Sequence, residues 1–388
     1  MSVFKLSMAV VDWACKRAKL HVSALNEAFP RFDKWLDGTH IPSFRQLQQF
    51  ATMAHIPVGY LFLDTPPIEK LIIPDRRTVG SAEYATPSLE LLETIKSCAQ
   101  RQDWYIEYLE SEGVAERLAI VGACKSTDSV ESAAMLMRKE FGYSAERIND
   151  SGNKAIDYLV ESAEDAGVLV MMNSIVGNST TRKLDIEEFR GFAISNDFAP
   201  VVFVNTNDSD SARLFTLAHE LAHILLGESS INDPEPLDSH VSRLEHGSIE
   251  KWCNMVAGEF LVPAEELEYC IVDNPIDEIS DIARRFSVST FVIAHRLLHT
   301  ETIDHDDYRV LYAMLMQHSS HKAKKKSKGG PSPYVMLPRR CSRRFSIALL
   351  TSYDEGTTDA RDAMRLLGLS KEDALRNYRK AMLEASGV

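Results

Sequence analysis

The stretch from Leu214 to Gly227 constrains the fold of this 388-residue chain more than any other. Leu214, Phe215, Leu217, Ala218, Leu221, Ala222, Ile224, Leu225 and Leu226 recur so densely that on a helix they would cover nearly its whole circumference. A helix apolar on all sides must be buried, so the rest of the chain has to supply layers around it. Asp208-Ser-Asp-Ser211 provides a capping residue at its start, and Gly227 a stop at its end. Inside this run lie His219, Glu220 and His223. Burying two imidazoles and a carboxylate is costly unless they are paired or hold a metal.

The spacing selects the metal. Positions i and i+4 share one helix face, so His219 and His223 can grip a single Zn²⁺ at ~2.0–2.1 Å. His-Glu-x-x-His on a helix is the signature of zinc peptidases, with the Glu as general base. Glu220 stands one step round the helix, where it can reach a water at the metal's remaining position. Two imidazoles and a water leave tetrahedral zinc one protein ligand short. Glu250 supplies it from a second helix downstream. Asn254, four residues on, would orient a ligand by hydrogen bonding. Glu259 competes with Glu250, but nine residues at roughly 100° each put the two on opposite faces, so only one can point at the metal. Cys253 reads as a small buried residue.

These segments carry a family resemblance. Thr216-Leu-Ala-His-Glu-Leu-Ala-His223, followed by Glu250-x-x-Cys-Asn254-x-x-Ala257-Gly-Glu-Phe-Leu-Val-Pro263, resembles the ImmA/IrrE-type zinc metallopeptidases. Glu188–Ile194 and Pro200–Asn205 resemble the two strands that precede the zinc helix in that family. Phe286–Ser289 through Arg296–Leu298 resembles its helical segment after the third ligand. Trp35–Gly38 to Pro57–Phe62 resembles the lambda-repressor-like (XRE-type) helix-turn-helix often fused to such peptidases. The resemblance implies Zn²⁺ as cofactor and a protein substrate, a helix-turn-helix repressor, in transcription regulation linked to mobile elements or stress responses. Two other classes stay open. One is a non-cleaving regulator that uses the peptidase fold as a metal or partner sensor. The other is an antitoxin-like or phage-defence interaction protein.

Composition agrees with a globular protein: 45% hydrophobic and 26% charged residues. No apolar run approaches the ~18–20 residues of a membrane helix, and the first residues lack a signal-peptide core, so a cytoplasmic protein without membrane contact is expected. Six scattered cysteines form no C-x-x-C pair, which argues against a disulfide framework and against a cysteine zinc site. The net charge of −13 is uneven. Residues 321–344 carry five Lys and four Arg with no acid, whereas residues 225–281 carry fourteen Asp/Glu against two Lys/Arg. Acidic surroundings favour a basic substrate or partner, or else are a solvated surface.

The expected architecture is α+β and mainly helical. A zincin-like peptidase domain (small sheet plus the His-Glu-x-x-His helix) occupies residues 151–305. A helix-turn-helix-like module precedes it at 1–70, a helical linker region lies at 71–150, a basic flexible linker at 306–340, and a C-terminal helical extension at 341–388. Patterning predicts helices at 44–54, 89–112, 130–141, 155–166, 276–286 and 289–298, and strands at 168–172, 189–194 and 201–205. In the N-terminal module the stretch Phe29–Trp35, with Pro30 as a first-turn proline, is short for a recognition helix. Residues 1–62 hold seven Lys/Arg and four Asp/Glu. DNA contact through this module is possible on that basis, but partner docking is preferred. His240, His246 and Arg190 are candidates to stabilise an oxyanion. The oligomeric state is not legible.

Overall fold

The computed structural model of the chain describes residues 6–37, 39–67, 71–74, 87–144, 154–231, 246–271, 274–319 and 333–385. It divides into two units: Met1–Leu71 with Thr86–Leu92, and Ile72–Ala85 with Glu93–Val388.

The first unit is helical: α1 (Met8–Arg17), α2 (Val22–Ala28), α3 (Phe32–Leu36), α4 (Phe44–Met53) and a 3₁₀ turn at Val58–Phe62. Ser43 and Gln46 form a reciprocal capping box that fixes the start of α4. Four aromatic side chains make the centre of its core, with Phe29 and Trp35 ring centroids 5.0 Å apart and Phe32 stacked on Phe50. Phe32 and Trp35 come from α3 itself, and between them only Asp33 and Lys34 are exposed. The segment expected to enter a groove is therefore a five-residue helix. Pro30 is not its first-turn proline, because the helix begins at Phe32 behind Arg31. Gly38, expected as a turn, lies outside the described residues.

The second unit is built on a four-stranded mixed sheet. Its strands are β1 (Leu169–Asn173), β2 (Gly191–Ile194), β3 (Val201–Asn205) and β4 (Ser230–Ile231), in the order β1-β3-β2-β4. β1 runs parallel to β3, and β2 runs antiparallel to both β3 and β4. Every residue of the four strands is buried, so both faces of the sheet are covered.

Alternation along the strands assigns the two faces. Val170, Met172, Ala193, Val202 and Val204 belong to the core that also holds Leu217, Leu221 and Leu225 of the apolar helix, α8 (Asp210–Leu226). Around it pack α6 (Val130–Phe141), α7 (Ala155–Asp165), α9 (His246–Leu261), α11 (Pro275–Arg285) and α12 (Thr290–His299); the short α10 (Ala264–Cys270) follows α9. α8 begins where expected, with the Ser209 hydroxyl accepting from Ala212 N, and ends on Gly227 in the left-handed region. Its last carbonyls are not left unpaired. Gly122 N donates to Ile224 O at 3.1 Å and Cys124 N to Leu225 O at 2.9 Å. The approach is close, since a Cβ on Gly227 would lie 3.2 Å from Gly122 Cα, and the left-handed backbone of Gly227 also favours glycine.

Met171, Phe192 and Phe203 point to the opposite face. On that side lie α5 (Leu89–Ser111), whose Arg101 reaches Met171, and the C-terminal helices α14 (Pro333–Cys341) and α15 (Arg343–Asp354), which pack on β1, with α16 (Ala360–Leu367) and α17 (Glu372–Ala385) packed on them. Arg101 Nε donates to Leu366 O at 2.9 Å, and Gln102 Nε2 to Ala199 O at 2.7 Å. Two expectations change here. Residues 306–340 are not a linker throughout, because α13 (His305–Ser319) and α14 occupy both ends of that span; only 320–332 lie outside the described residues. The helices after residue 333 also belong to the second unit, and the first two of them, α14 and α15, cover β1.

Glu164 on α7 is buried at this seam. Its Oε1 accepts from Arg343 N at 2.9 Å at the start of α15. Burial pushes its carboxyl up to about 7, against the opposing hydrogen bonds from Ser342 and Arg343. A folded-state value above the unfolded ~4.3 means that the protonated form stabilises the fold; this contribution is full below ~4.3 and is lost as pH rises through 7. Wild type is therefore expected to lose up to roughly 3 kcal/mol between pH 5 and 8 that Glu164→Gln, neutral throughout, keeps. Thermal denaturation at the two pH values checks this, and an unchanged gap between the two proteins would refute it.

Candidate metal centre

The apolar helix brings its three polar residues to full burial: His219, Glu220 and His223 are each at most 1% exposed. Their roles separate by direction. His219 Nε2 and His223 Nε2 converge to 3.1 Å, as side chains one turn apart on one face should. Glu250, in the first part of α9, completes the group. Its Oε2 lies 3.1 Å from His219 Nε2 and its Oε1 3.4 Å from His223 Nε2. Among the described residues this is the one cluster of three or more His, Cys, Asp or Glu able to share a metal ion. Glu250 remains 20% exposed, so the group opens to solvent on that side.

The donor set fits a tetrahedral cation. Ligands ~2.0–2.1 Å from such an ion stand about 3.3–3.4 Å from one another, close to the three separations found. The carboxylate is already in its ligating state. Burial pushes the Glu250 carboxyl up, but the His223 imidazole and the hydrogen bonds from His219 and His223 outweigh it, holding the group well below the usual carboxylate range. Ser230 on β4 donates from Oγ to Glu250 Oε1 at 3.1 Å.

Glu220 points another way, toward β2. A Cβ built on Gly191 would meet Glu220 Oε1 at 3.0 Å, Thr216 Cγ2 at 2.6 Å and the Phe203 carbonyl at 2.8 Å. Glycine at 191 is what lets α8 lie this close to the sheet with the carboxylate between them.

The remaining candidates sort out as follows. Glu259 does not reach the metal group. It lies on the far face of α9, ion-paired with Arg296 of α12 and accepting from Ala264 N at 3.3 Å. Asn254 is half-buried, and no hydrogen bond joins it to Glu250 or to either imidazole among the described residues. Ser230 takes that place. Cys253 is buried and none of the six cysteines is bridged. Arg190 is engaged 3.6 Å from Asp208 just ahead of α8. His240 and the side chain of His246 lie outside the described residues. Ser230 and Gly191 were not singled out from sequence. A two-residue strand has no readable alternation, and a glycine before Phe-Ala-Ile says nothing about which helix will press on it.

The comparison with known families agrees with this geometry. Residues 163–298 match the model of the IrrE N-terminal-like domain, a family of metal-dependent peptidases. The matched span runs from the end of α7 to the end of α12 and contains the sheet, both imidazoles, Glu220 and Glu250. No curated protein matches the chain. Over this span the chain is similar to the ImmA/IrrE-type peptidases, and the α+β fold with its His219, His223 and Glu250 group, able to share a metal ion, is consistent with a metallopeptidase-type function. No helix among the described residues is long and apolar enough to cross a membrane.

Proposed function

We propose that this chain is a zinc-dependent endopeptidase that hydrolyses a peptide bond in a DNA-binding repressor and so controls gene expression. The observation that carries the reading is the convergence of three ligand atoms at 3.1–3.4 Å beside a buried glutamate that is not one of them. His219, His223 and Glu250 would hold Zn²⁺, which when bound supplies Lewis acidity toward a carbonyl and acidifies water to a pKa of ~7. Glu220 takes the proton of the attacking water and returns it to the leaving nitrogen. Gly191 leaves the space that its carboxylate occupies beside β2. Ser230 keeps Glu250 turned toward the imidazoles. The family resemblance supports a repressor as substrate, and the acidic run at 225–281 suits a basic partner.

The test is metal content. Wild type is expected to retain about one Zn²⁺ per chain after dialysis, His219→Ala none, and Glu250→Gln clearly less than wild type. Retention by Glu250→Gln equal to wild type, with loss from Glu259→Gln, would reassign the third ligand.

For the N-terminal unit the reading is docking of a protein partner over reading of an operator. The supporting observation is a five-residue α3 whose aromatic side chains are spent on the core. Titration of the full-length protein against labelled DNA flanking its own gene is expected to give weak, sequence-independent binding. Tight binding with a steep loss on adding salt, the mark of many phosphate contacts, would overturn it.

A further inference from the structure

The third ligand of the metal group is tied to the edge of the sheet. β4 is the strand at the end opposite β1, and among the described residues it meets β2 through two pairs, Ser230 with Ala193 and Ile231 with Phe192. A ladder this short is weak by itself. Side chains supplement it. The Ser229 hydroxyl accepts from Ser195 N at 2.9 Å. The Ser230 hydroxyl donates to Glu250 Oε1 at 3.1 Å, and Ser230 is fully buried.

The strand therefore stands between two members of the metal group. His223 lies seven residues before Ser230 in the chain, and Glu228 N donates back to His223 O at 3.1 Å. Glu250 is reached from the same strand by the serine hydroxyl, while its Oε2 faces His219 Nε2 at 3.1 Å. A hydrogen bond to an ionised carboxylate is among the strong ones and fixes the direction of the acceptor. Partners that orient a ligand without touching the ion usually matter by ~10–100-fold in metal affinity. Here that partner is in place only while β4 lies on β2. Coupling of this kind is reciprocal: if the paired strand favours the ion, the ion favours the paired strand by the same factor.

We propose that Ser230 is a positioning residue for Glu250, and that β4 is thereby a latch coupled to the metal group. Pairing of β4 with β2 tightens zinc binding, and loading with zinc holds β4 on the sheet. The inference rests on the reading of His219, His223 and Glu250 as zinc ligands.

The experiment measures zinc affinity of the full-length protein by competition with a chromophoric chelator. Ser230→Ala is expected to bind zinc ~10–100-fold more weakly than wild type. In a Glu250→Ala background the same substitution is expected to cost nothing further, because the hydroxyl acts through that carboxylate. A second measurement needs no variant. Hydrogen exchange of wild-type peptides covering β4 is expected to slow on adding zinc, and to slow more than that of peptides covering α16. Zinc affinity of Ser230→Ala equal to wild type, an equal loss in the Glu250→Ala background, or β4 exchange that zinc leaves unchanged would each overturn this inference alone. A wild type that binds no zinc would overturn the metal reading together with it.

Discussion

Glu220→Gln is expected to bind zinc as wild type does and to cleave its partner at least ~10²–10⁴-fold more slowly, the usual loss when a positioned base is removed. The expectation follows from geometry. Both imidazoles and Glu250 form their own group, and the Glu220 carboxylate is turned to the Gly191 side of α8. Glutamine keeps the shape of the side chain and its fit against Gly191 of β2, so folding should be spared. Partner cleavage followed on a gel, with zinc measured on the same sample, decides the matter. Undiminished cleavage by Glu220→Gln would overturn the assignment of the base. A wild type that holds zinc and cleaves no neighbouring repressor would favour a sensor built on the same fold.

The second large effect concerns a residue that sequence alone left in competition for the metal. Glu259→Ala is expected to destabilise the second unit by about 3–5 kcal/mol, because it strands the Arg296 guanidinium, 2% exposed, without its counter-charge. Arg296 also donates from Nε to Val262 O at 3.0 Å, and Arg138 donates from Nε to Phe260 O at 2.9 Å, so the end of α9 hangs on two arginines. The zinc content of the molecules that remain folded should not change. Replacing both partners, Glu259→Leu with Arg296→Met, should recover much of the loss, since removing a buried pair together leaves no orphan charge. Urea denaturation of the three variants measures this. A loss below about 1 kcal/mol for Glu259→Ala would mean that the pair is not what fixes α9.

What could be read from the chain alone tracks how local each signal is. α8 announces itself through its all-round apolar pattern, its Ser209 cap and its Gly227 stop, and the i, i+4 rule then places His219 beside His223. β3 is a run of β-branched residues, and α6 begins and ends at the residues that patterning predicts. The choice of Glu250 over Glu259 needs only the angular step of a helix, and the two residues do lie on opposite faces of α9. The failures share a cause. β4 is two residues long, and Ser230 gains its meaning only from Glu250, twenty residues away. Asn254 has the spacing of an orienting residue, yet the hydrogen bond to Glu250 comes from Ser230. α14 is hidden by its own composition, with Pro333 at its start and Pro338 inside it, so a run that reads as a broken linker is in fact a helix held by packing against β1. That the last helices close the sheet is a contact between distant parts of the chain, which no window of residues can show.

The cover over the back of the sheet also sets an order of events during synthesis. Arg101 and Leu366, joined by a hydrogen bond, are 265 residues apart, and β1 meets α14 only after a further 160 or so residues have been made. At ~5–20 residues per second, a ribosome that has finished β3 needs on the order of ten seconds more before α14 to α17 emerge. Throughout that interval Phe192 and Phe203 have Phe189 and each other to pack against, but β1 lacks the cover of α14 and α15. A nascent chain can therefore carry both imidazoles and Glu250 before the helices that cover β1 from behind have been made.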